Sequence, residues 1–505
     1  MGTKPGFDNE KYLKEQTKAI LKRVKQFDNK LYLEFGGKLL FDYHASRVLP
    51  GFDPNVKMKL LKKLKDKSDI ILCIYAGDIE RKKIRADFGI TYDMDAFKLI
   101  DDLMDWDIDI RAVVITRYQN QPAANIFMNK LKRQGIKVYT HAFTKGYPTD
   151  ADLIVSDEGY GANDYIETKN DLVIVTAPGP GSGKLATCLS QLYHEHKRGI
   201  KGGYAKFETF PIWNLPLKHP VNIAYEAATV DIKDYNMIDS FHLEKHKETA
   251  VNYNRDMEIF PVLKRILRKI MGKTLYHSPT DMGVNCAGSG IVNDKIVREA
   301  AHQEIIRRYF RCKYEYVMGL VDQEAVQRSE LLMEEVGVKA HDRVVVIPAR
   351  EAAKKAMDMR LGNKGIFCGA ALQLHNGDMI TGKNSPLMHA SSSLILNVLK
   401  QIAEIPDKIP LLSDNIIEFI STFKRDILNS KTVSLNLDET LISLSISAAT
   451  NPAAKLALEK IKELKGCEVH MTHIPTSGDE AGLRGLGINL TTDPNLSSRS
   501  FYENA

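Results

Sequence analysis

Val173-Ile174-Val175-Thr176-Ala177-Pro178-Gly179-Pro180-Gly181-Ser182-Gly183-Lys184 runs from an apolar, β-rich segment into glycines, ends in a lysine and continues into helix-like sequence. Glycines let backbone N–H groups approach an anion without a Cβ in the way, the next helix turns its positive end there, and the lysine adds a point charge. The stretch reads as a phosphate-holding, P-loop-like turn made by Gly179, Gly181, Ser182, Gly183 and Lys184. It departs from the pattern G-x-x-x-x-G-K-[ST], because Pro178 stands where that pattern has glycine and Leu185 where it has the Mg²⁺-binding hydroxyl. Thr187 is the nearest substitute hydroxyl. A plain strand-to-helix turn with a surface lysine is the competing reading, but three glycines in five residues ending in lysine exceed what a turn requires.

Working outward, apolar β-rich runs alternate with helical patterns from residue 9 to about 215. Lys30–Phe35, Asp69–Ala76, Ile110–Arg117, Ile136–Ala142, Asp152–Ser156 and Asp171–Ala177 read as strands. Such alternation predicts an α/β unit with a mostly parallel sheet, and ligands of such sheets sit beyond the carboxyl ends of the strands, where the glycine loop falls. Strand signals thin out after about 216, and Asn254–Met271 and Lys295–Tyr309 read as helices. From 340 onward the pattern is α/β again, with Arg343–Ile347 as a strand, a hairpin turning at Asn376-Gly377, a helix over Leu387–Ile405, two helices within 412–465 and a strand over Cys467–His473. The expected domains are 1–225 (α/β with the glycine loop), 226–337 (helical) and 338–505 (α/β).

The chain has 505 residues and a formal charge of +6, which is small for its length and argues against a dedicated nucleic-acid binder. Lys57 to Lys67, the densest basic run, interleaves apolar residues at helical spacing and reads as an amphipathic helix. Six cysteines lie far apart with no C-x-x-C pair, which fits neither a disulfide framework nor a zinc site. The expectation is a cytoplasmic protein with reduced thiols, no membrane span, no resident metal and no zinc. A homo-oligomer is compatible with the sequence.

Around the glycine loop, Arg198, Lys201 and Lys206 add positive charge. Asp157 follows the apolar run Leu153-Ile154-Val155-Ser156 as the metal-holding carboxylate of an NTPase strand would, and Glu208 is the other candidate to hold Mg²⁺. Asn252–Asp256 and Pro279–Asn285 crowd polar side chains into short segments, where helix capping competes with substrate binding.

In the last third, a hairpin ending Gly382-Lys383-Asn384-Ser385-Pro386 leads into a helix carrying His389-Ala390-Ser391, and a later strand runs into Thr476-Ser477-Gly478-Asp479. This order is similar to the cytidine-deaminase fold, in which H-x-E opens one helix and P-C-x-x-C the next. His389 matches the histidine ligand, but Ser391 replaces the proton-shuttling glutamate, and Thr476 and Asp479 take the places of the cysteines. The resemblance implies a deaminase-like scaffold without its zinc, able to bind another ligand or run metal-free chemistry as formyltransferases of this fold do. Lys383, Asn384, His389, His473, Ser477, Asp479 and Arg484 are its candidate pocket residues, with a buried, satisfied His389 as the alternative.

Tyr32–Lys38, Tyr43–Phe52, Pro178–Lys184, Phe207–Pro216, Pro279–Asn285 and Asp479–Gly487 together resemble an uncharacterised bacterial family known as domain of unknown function 1846, or uncharacterised protein family 0371. The resemblance covers nearly the whole chain and implies no particular reaction. The residues themselves lead to an enzyme that binds a nucleotide or phosphorylated small molecule at Gly179–Lys184, with Mg²⁺ accompanying a nucleotide. Phosphoryl transfer or hydrolysis would use Lys184 with Asp157 or Glu208. A non-catalytic metabolite sensor and metal-free group transfer at His389 are the alternatives.

Overall fold

A computed structural model describes residues 5–27, 30–85 and 89–498, the side chain of Arg85 excepted. The chain divides into two compact units, residues 1–304 and 305–505.

The first unit is built on a six-stranded sheet. Its strands are β1 (Leu31–Phe35), β2 (Ser68–Tyr75), β3 (Ile110–Thr116), β4 (Val138–His141), β5 (Leu172–Thr176) and β6 (Gly203–Phe207). They lie in the order β4-β3-β2-β5-β1-β6, every neighbouring pair parallel. The central strands are continuous apolar runs, and Ile71, Leu72, Cys73 and Ile74 of β2 are wholly buried, as strands covered on both faces require. Chain order reverses between β2 and β5, so the segment after β5 leaves the sheet at its switch point, where parallel sheets hold ligands. That segment is the glycine loop, followed by helix α1 (Lys184–Lys197).

One expected strand is absent. Residues Ala151–Ile154 form a short helix instead, because Asp150 caps it, its side chain accepting from the N–H groups of Asp152 and Leu153. β6 was not expected; Lys206 interrupts its apolar pattern, and its pairing with β1 overrides that local signal. The basic run is helical over Val56–Leu64, yet Lys57 is buried and paired with Asp42 at 3.0 Å rather than solvated.

Residues 226–337 carry the helices α2 (Asn254–Met271), Asp294–Val317 and Gln323–Val336 and a short antiparallel pair, Asn236–Ile238 with Val251–Tyr253, but do not form a compact unit of their own. The division between the two units falls inside the helix Asp294–Val317.

The second unit has a four-stranded sheet of β7 (Gly369–Gln373), β8 (Met379–Lys383), β9 (Glu468–Met471) and β10 (Asn489–Thr492), in the order β8-β7-β9-β10. β7 is antiparallel to both neighbours and β9 is parallel to β10. The hairpin turns at Gly377, whose φ is +95°. Helix α3 (Ala390–Ile402) follows β8, and α4 (Ser477–Gly485) connects β9 to β10. Leu372, Leu394, Val398, Leu444, Val469 and Leu483 share its core.

Arg343–Ile347 is not a strand. Helix Val346–Asp358 begins there, and Arg343 is buried just before it. Its guanidinium donates to Glu468 (2.5 Å), Thr491 (2.8 Å) and the Val469 and Asn489 carbonyls. The β-branched run therefore packs as a helix start pinned by one arginine, a tertiary effect invisible to local propensity. No helix among the described residues is long and apolar enough to cross a membrane.

Candidate functional site

The carboxyl edge of the six-stranded sheet gathers three segments: the glycine loop after β5, Gly36-Gly37-Lys38 after β1 and Glu208 after β6. Adjacent strands are about 4.8 Å apart, so the first and last lie on the order of 10 Å from each other. A cleft lined by Lys38, Phe41, Asp95, Lys98 and Pro178 opens beside the loop.

The loop is held from below. Thr116 Oγ1 donates to the Ser182 carbonyl at 2.8 Å, Arg117 donates to the Gly181 carbonyl, and Ser182 Oγ donates to the Gly179 carbonyl at 2.8 Å. With the carbonyls engaged, amides are left over: among the described residues, the N–H groups of Gly181, Gly183 and Lys184 meet no protein acceptor. Gly183 has φ +87° and caps α1, and a Cβ there would lie 2.8 Å from Thr116. Lys184 is partly exposed, with no carboxylate in ion-pair range among the described residues. Arg117, stacked 3.4 Å over the Tyr75 ring, brings a second cation that sequence reasoning passed over.

Two expected partners of this loop lie elsewhere. Thr187 is wholly buried, and its hydroxyl accepts from Cys73 Sγ at 3.4 Å, so it offers nothing to a ligand. Asp157 pairs with Tyr193 (2.8 Å) and Lys197 (3.0 Å) at the far end of α1. At 1.5 Å per residue that end is about 20 Å from Lys184. Asp157 therefore lies too far from the loop to hold a metal there.

Glu208 stands in a dense polar cluster. Lys206 Nζ contacts Asp256 at 2.6 Å and Glu208 at 3.3 Å, and the Tyr253 hydroxyl donates to Glu208. Asn285 Oδ1 accepts from the Glu208 N–H at 2.7 Å. Gly36 makes room, since a Cβ on it would come within 2.6 Å of Glu208 Cγ. Burial pushes the Glu208 carboxyl up to about 7, with Lys206 pulling it down and Asp256 pushing it further up. Burial lowers Lys206, but Asp256, Glu208 and Glu34 outweigh it and hold the ammonium above its ordinary value. The polar segments 252–256 and 279–285 thus meet on Glu208, a convergence no local pattern discloses.

In the second unit, His389 and Asp479 come together at the starts of α3 and α4. His389 Nδ1 lies 2.7 Å from Asp479 Oδ2, while Ser391 Oγ (2.6 Å), Thr476 Oγ1 (2.7 Å) and the Leu437 N–H (2.9 Å) also donate to that carboxylate. Among the described residues, His389 Nε2 meets no protein partner, so the ring presents one nitrogen fixed by its other side. The remaining candidates do not join this pair. Asn384 brackets the backbone, accepting from the Cys368 N–H and donating to the Ile366 carbonyl. Arg484 pairs with Glu480 on the surface at 2.8 Å. Ser477 is exposed, Lys383 lies on β8, and His473 bonds its neighbour Thr472 at 3.0 Å.

Comparison with known proteins adds the chain's lineage. Residues 5–337 match the model described as domain of unknown function DUF1846, N-terminal, and 341–502 match its C-terminal counterpart. The chain is 60% identical over 501 residues to a UPF0371 protein of Clostridium botulinum strain Kyoto, Type A2, covering 99% of each. To a UPF0371 protein of strain Alaska E43, Type E3, it is 59% identical over 502 residues, covering 99% of this chain and 100% of that one. The chain belongs to the bacterial family described as domain of unknown function DUF1846, and these UPF0371 proteins are its relatives.

Proposed function

We propose that the first unit is an enzyme that holds a phosphorylated small molecule at Gly179–Lys184 and moves a proton on it with Glu208. The observation that carries this reading is the set of unpartnered loop amides at the start of α1 together with a carboxyl poised near neutrality two strands away. The Lys184 ammonium complements a phosphate, and the spacing suits a ligand with its phosphate at one end and its reacting group at the other. Lys206 lies against both Glu208 and Asp256, which favours proton transfer over Mg²⁺ holding by these carboxylates. Phosphoryl transfer, with Mg²⁺ brought in by a nucleotide, is the version the same loop would serve if the metal came with its ligand.

The test is a thermal-shift series with inorganic phosphate, nucleotides and sugar phosphates, with and without Mg²⁺, on wild type and Lys184→Ala. Stabilisation confined to wild type is expected. Equal shifts in both proteins would sink the phosphate site, and a shift without product on long incubation would point to a sensor.

A second reading rests on the His389–Asp479 pair. A hairpin followed by helix α3, then three further helices (Asp414–Asp426, Leu437–Ser447 and Pro452–Glu459), then β9, α4 and β10 on a β8-β7-β9-β10 sheet supports a deaminase-like scaffold with a helical insertion, whose histidine serves metal-free group transfer. Loss of turnover in His389→Ala, with ligand affinity kept, is the outcome that reading requires.

A further inference from the structure

We propose that His242, His246 and Asp281 form a site for one divalent transition metal of the zinc class. His242 and His246 lie four residues apart on helix Ser240–His246, a spacing that puts both rings on one face. Asp281 comes from the short helix Pro279–Met282. Asp281 Oδ1 is 2.9 Å from His246 Nε2 and 3.6 Å from His242 Nδ1, and the candidate ligand atoms all lie within 4.8 Å of one another. Bonds of about 2.0–2.1 Å at tetrahedral angles place ligand atoms roughly 3.3 Å apart, so the three groups need only small shifts to close on an ion. Two imidazoles and one carboxylate suit zinc and its neighbours rather than Mg²⁺ or Ca²⁺.

The ligands are held in advance by the groups behind them. Asp239 accepts from the His242 N–H at 2.9 Å and from the Thr280 hydroxyl at 2.6 Å, tying the two short helices together. The second oxygen of Asp281 accepts from the His277 N–H at 2.8 Å, which leaves Oδ1 for the ion. Ser278 Oγ lies 3.0 Å from His242 Nδ1, so metal capture exchanges that hydrogen bond for a coordinate bond.

The site is closed on one side and open on the other. His242 and Asp281 side chains are 9% and 18% exposed, whereas His246 is 37% exposed. Three protein ligands with an accessible side leave a fourth position for water or a ligand. The segment that carries Asp281 continues through Gly283, bridged to Lys206, to Asn285 beneath Glu208. The metal assignment itself stands independently of any role for Glu208.

The test uses the full-length chain, stripped with EDTA and titrated calorimetrically with Zn²⁺, with Co²⁺ absorption as a report of tetrahedral coordination. One equivalent should bind to wild type and to the exposed-histidine control His341→Gln. His246→Gln and Asp281→Asn should bind at least about ten-fold more weakly, with metal-free melting of His246→Gln unchanged. No stoichiometric Zn²⁺ binding by wild type, or equal affinity in His246→Gln, would overturn the site. Mg²⁺ binding as tight as Zn²⁺ would overturn the zinc-class assignment.

Discussion

Lys206 and Asp256 meet at 2.6 Å at the carboxyl edge of the parallel sheet, and the same ammonium lies 3.3 Å from Glu208. Asp256 thus both anchors the lysine and raises the neighbouring carboxyl. Asp256→Asn should lower the Glu208 titration midpoint from about 7, because a like charge disappears and Lys206 is freed to pair with Glu208 alone. Carboxyl ¹³C NMR across neutral pH reads this directly. An unchanged or higher midpoint would show that Asp256 does not govern Glu208.

Much of the first unit was readable because strands buried on both faces leave uninterrupted apolar runs, as Ile70-Ile71-Leu72-Cys73-Ile74 does. Where capping or tertiary anchoring competes with propensity, the reading failed: Asp150 makes a helix of Ala151–Ile154, and Arg343 pins a β-branched run as a helix start. The strand-to-helix turn over residues 177–183 was legible because its signal, an apolar strand running into glycines, is local. The Glu208 cluster was not, because Gly36, Lys206, Asp256 and Asn285 meet only once β1, β6 and α2 are assembled. The His242–His246–Asp281 group escaped for a further reason: a search for zinc by paired cysteines passes over imidazoles one helical turn apart.

Gly183→Ala tests the loop's backbone. The position has φ +87°, and the added methyl would lie 2.8 Å from Thr116, the residue that holds the Ser182 carbonyl. A left-handed conformation in a residue with a side chain costs about 1–3 kcal/mol, and the clash adds to it. Urea unfolding should show a loss of at least about 1 kcal/mol together with weaker phosphate-dependent stabilisation. A variant as stable as wild type would mean that the loop relaxes without strain.

Asp479→Asn should destabilise the second unit. The carboxylate faces only donors, from His389, Ser391, Thr476 and Leu437, so an amide nitrogen in its place must oppose one of them. The expected cost is about 3 kcal/mol. Burial pushes the Asp479 carboxyl up, but the His389 hydrogen bond and charge, with Ser391 and Thr476, outweigh it and hold it below the ordinary aspartate range. Its stabilisation is therefore full above about pH 4 and is lost as pH falls through the depressed folded value. Melting curves should converge for wild type and variant in acid and separate at neutrality; parallel curves would contradict the assignment.

Glu208→Gln gives the opposite sign. Burial pushes the Glu208 carboxyl up to about 7 from an ordinary value near 4.5, so the folded state binds its proton more tightly. Its contribution is full at acid pH and declines as pH rises from the unfolded to the folded value. Glutamine keeps the shape without the charge, so relative to wild type the variant should gain stability between about pH 5 and pH 7.5 and hold a constant margin above that. If Glu208 is the base of the reaction, wild-type turnover should rise through an apparent pKa near 7 while the variant lacks that limb. A stability margin that does not change with pH would remove the raised carboxyl. A shared rising limb in both proteins would leave the raised carboxyl in place and assign the proton transfer to another group.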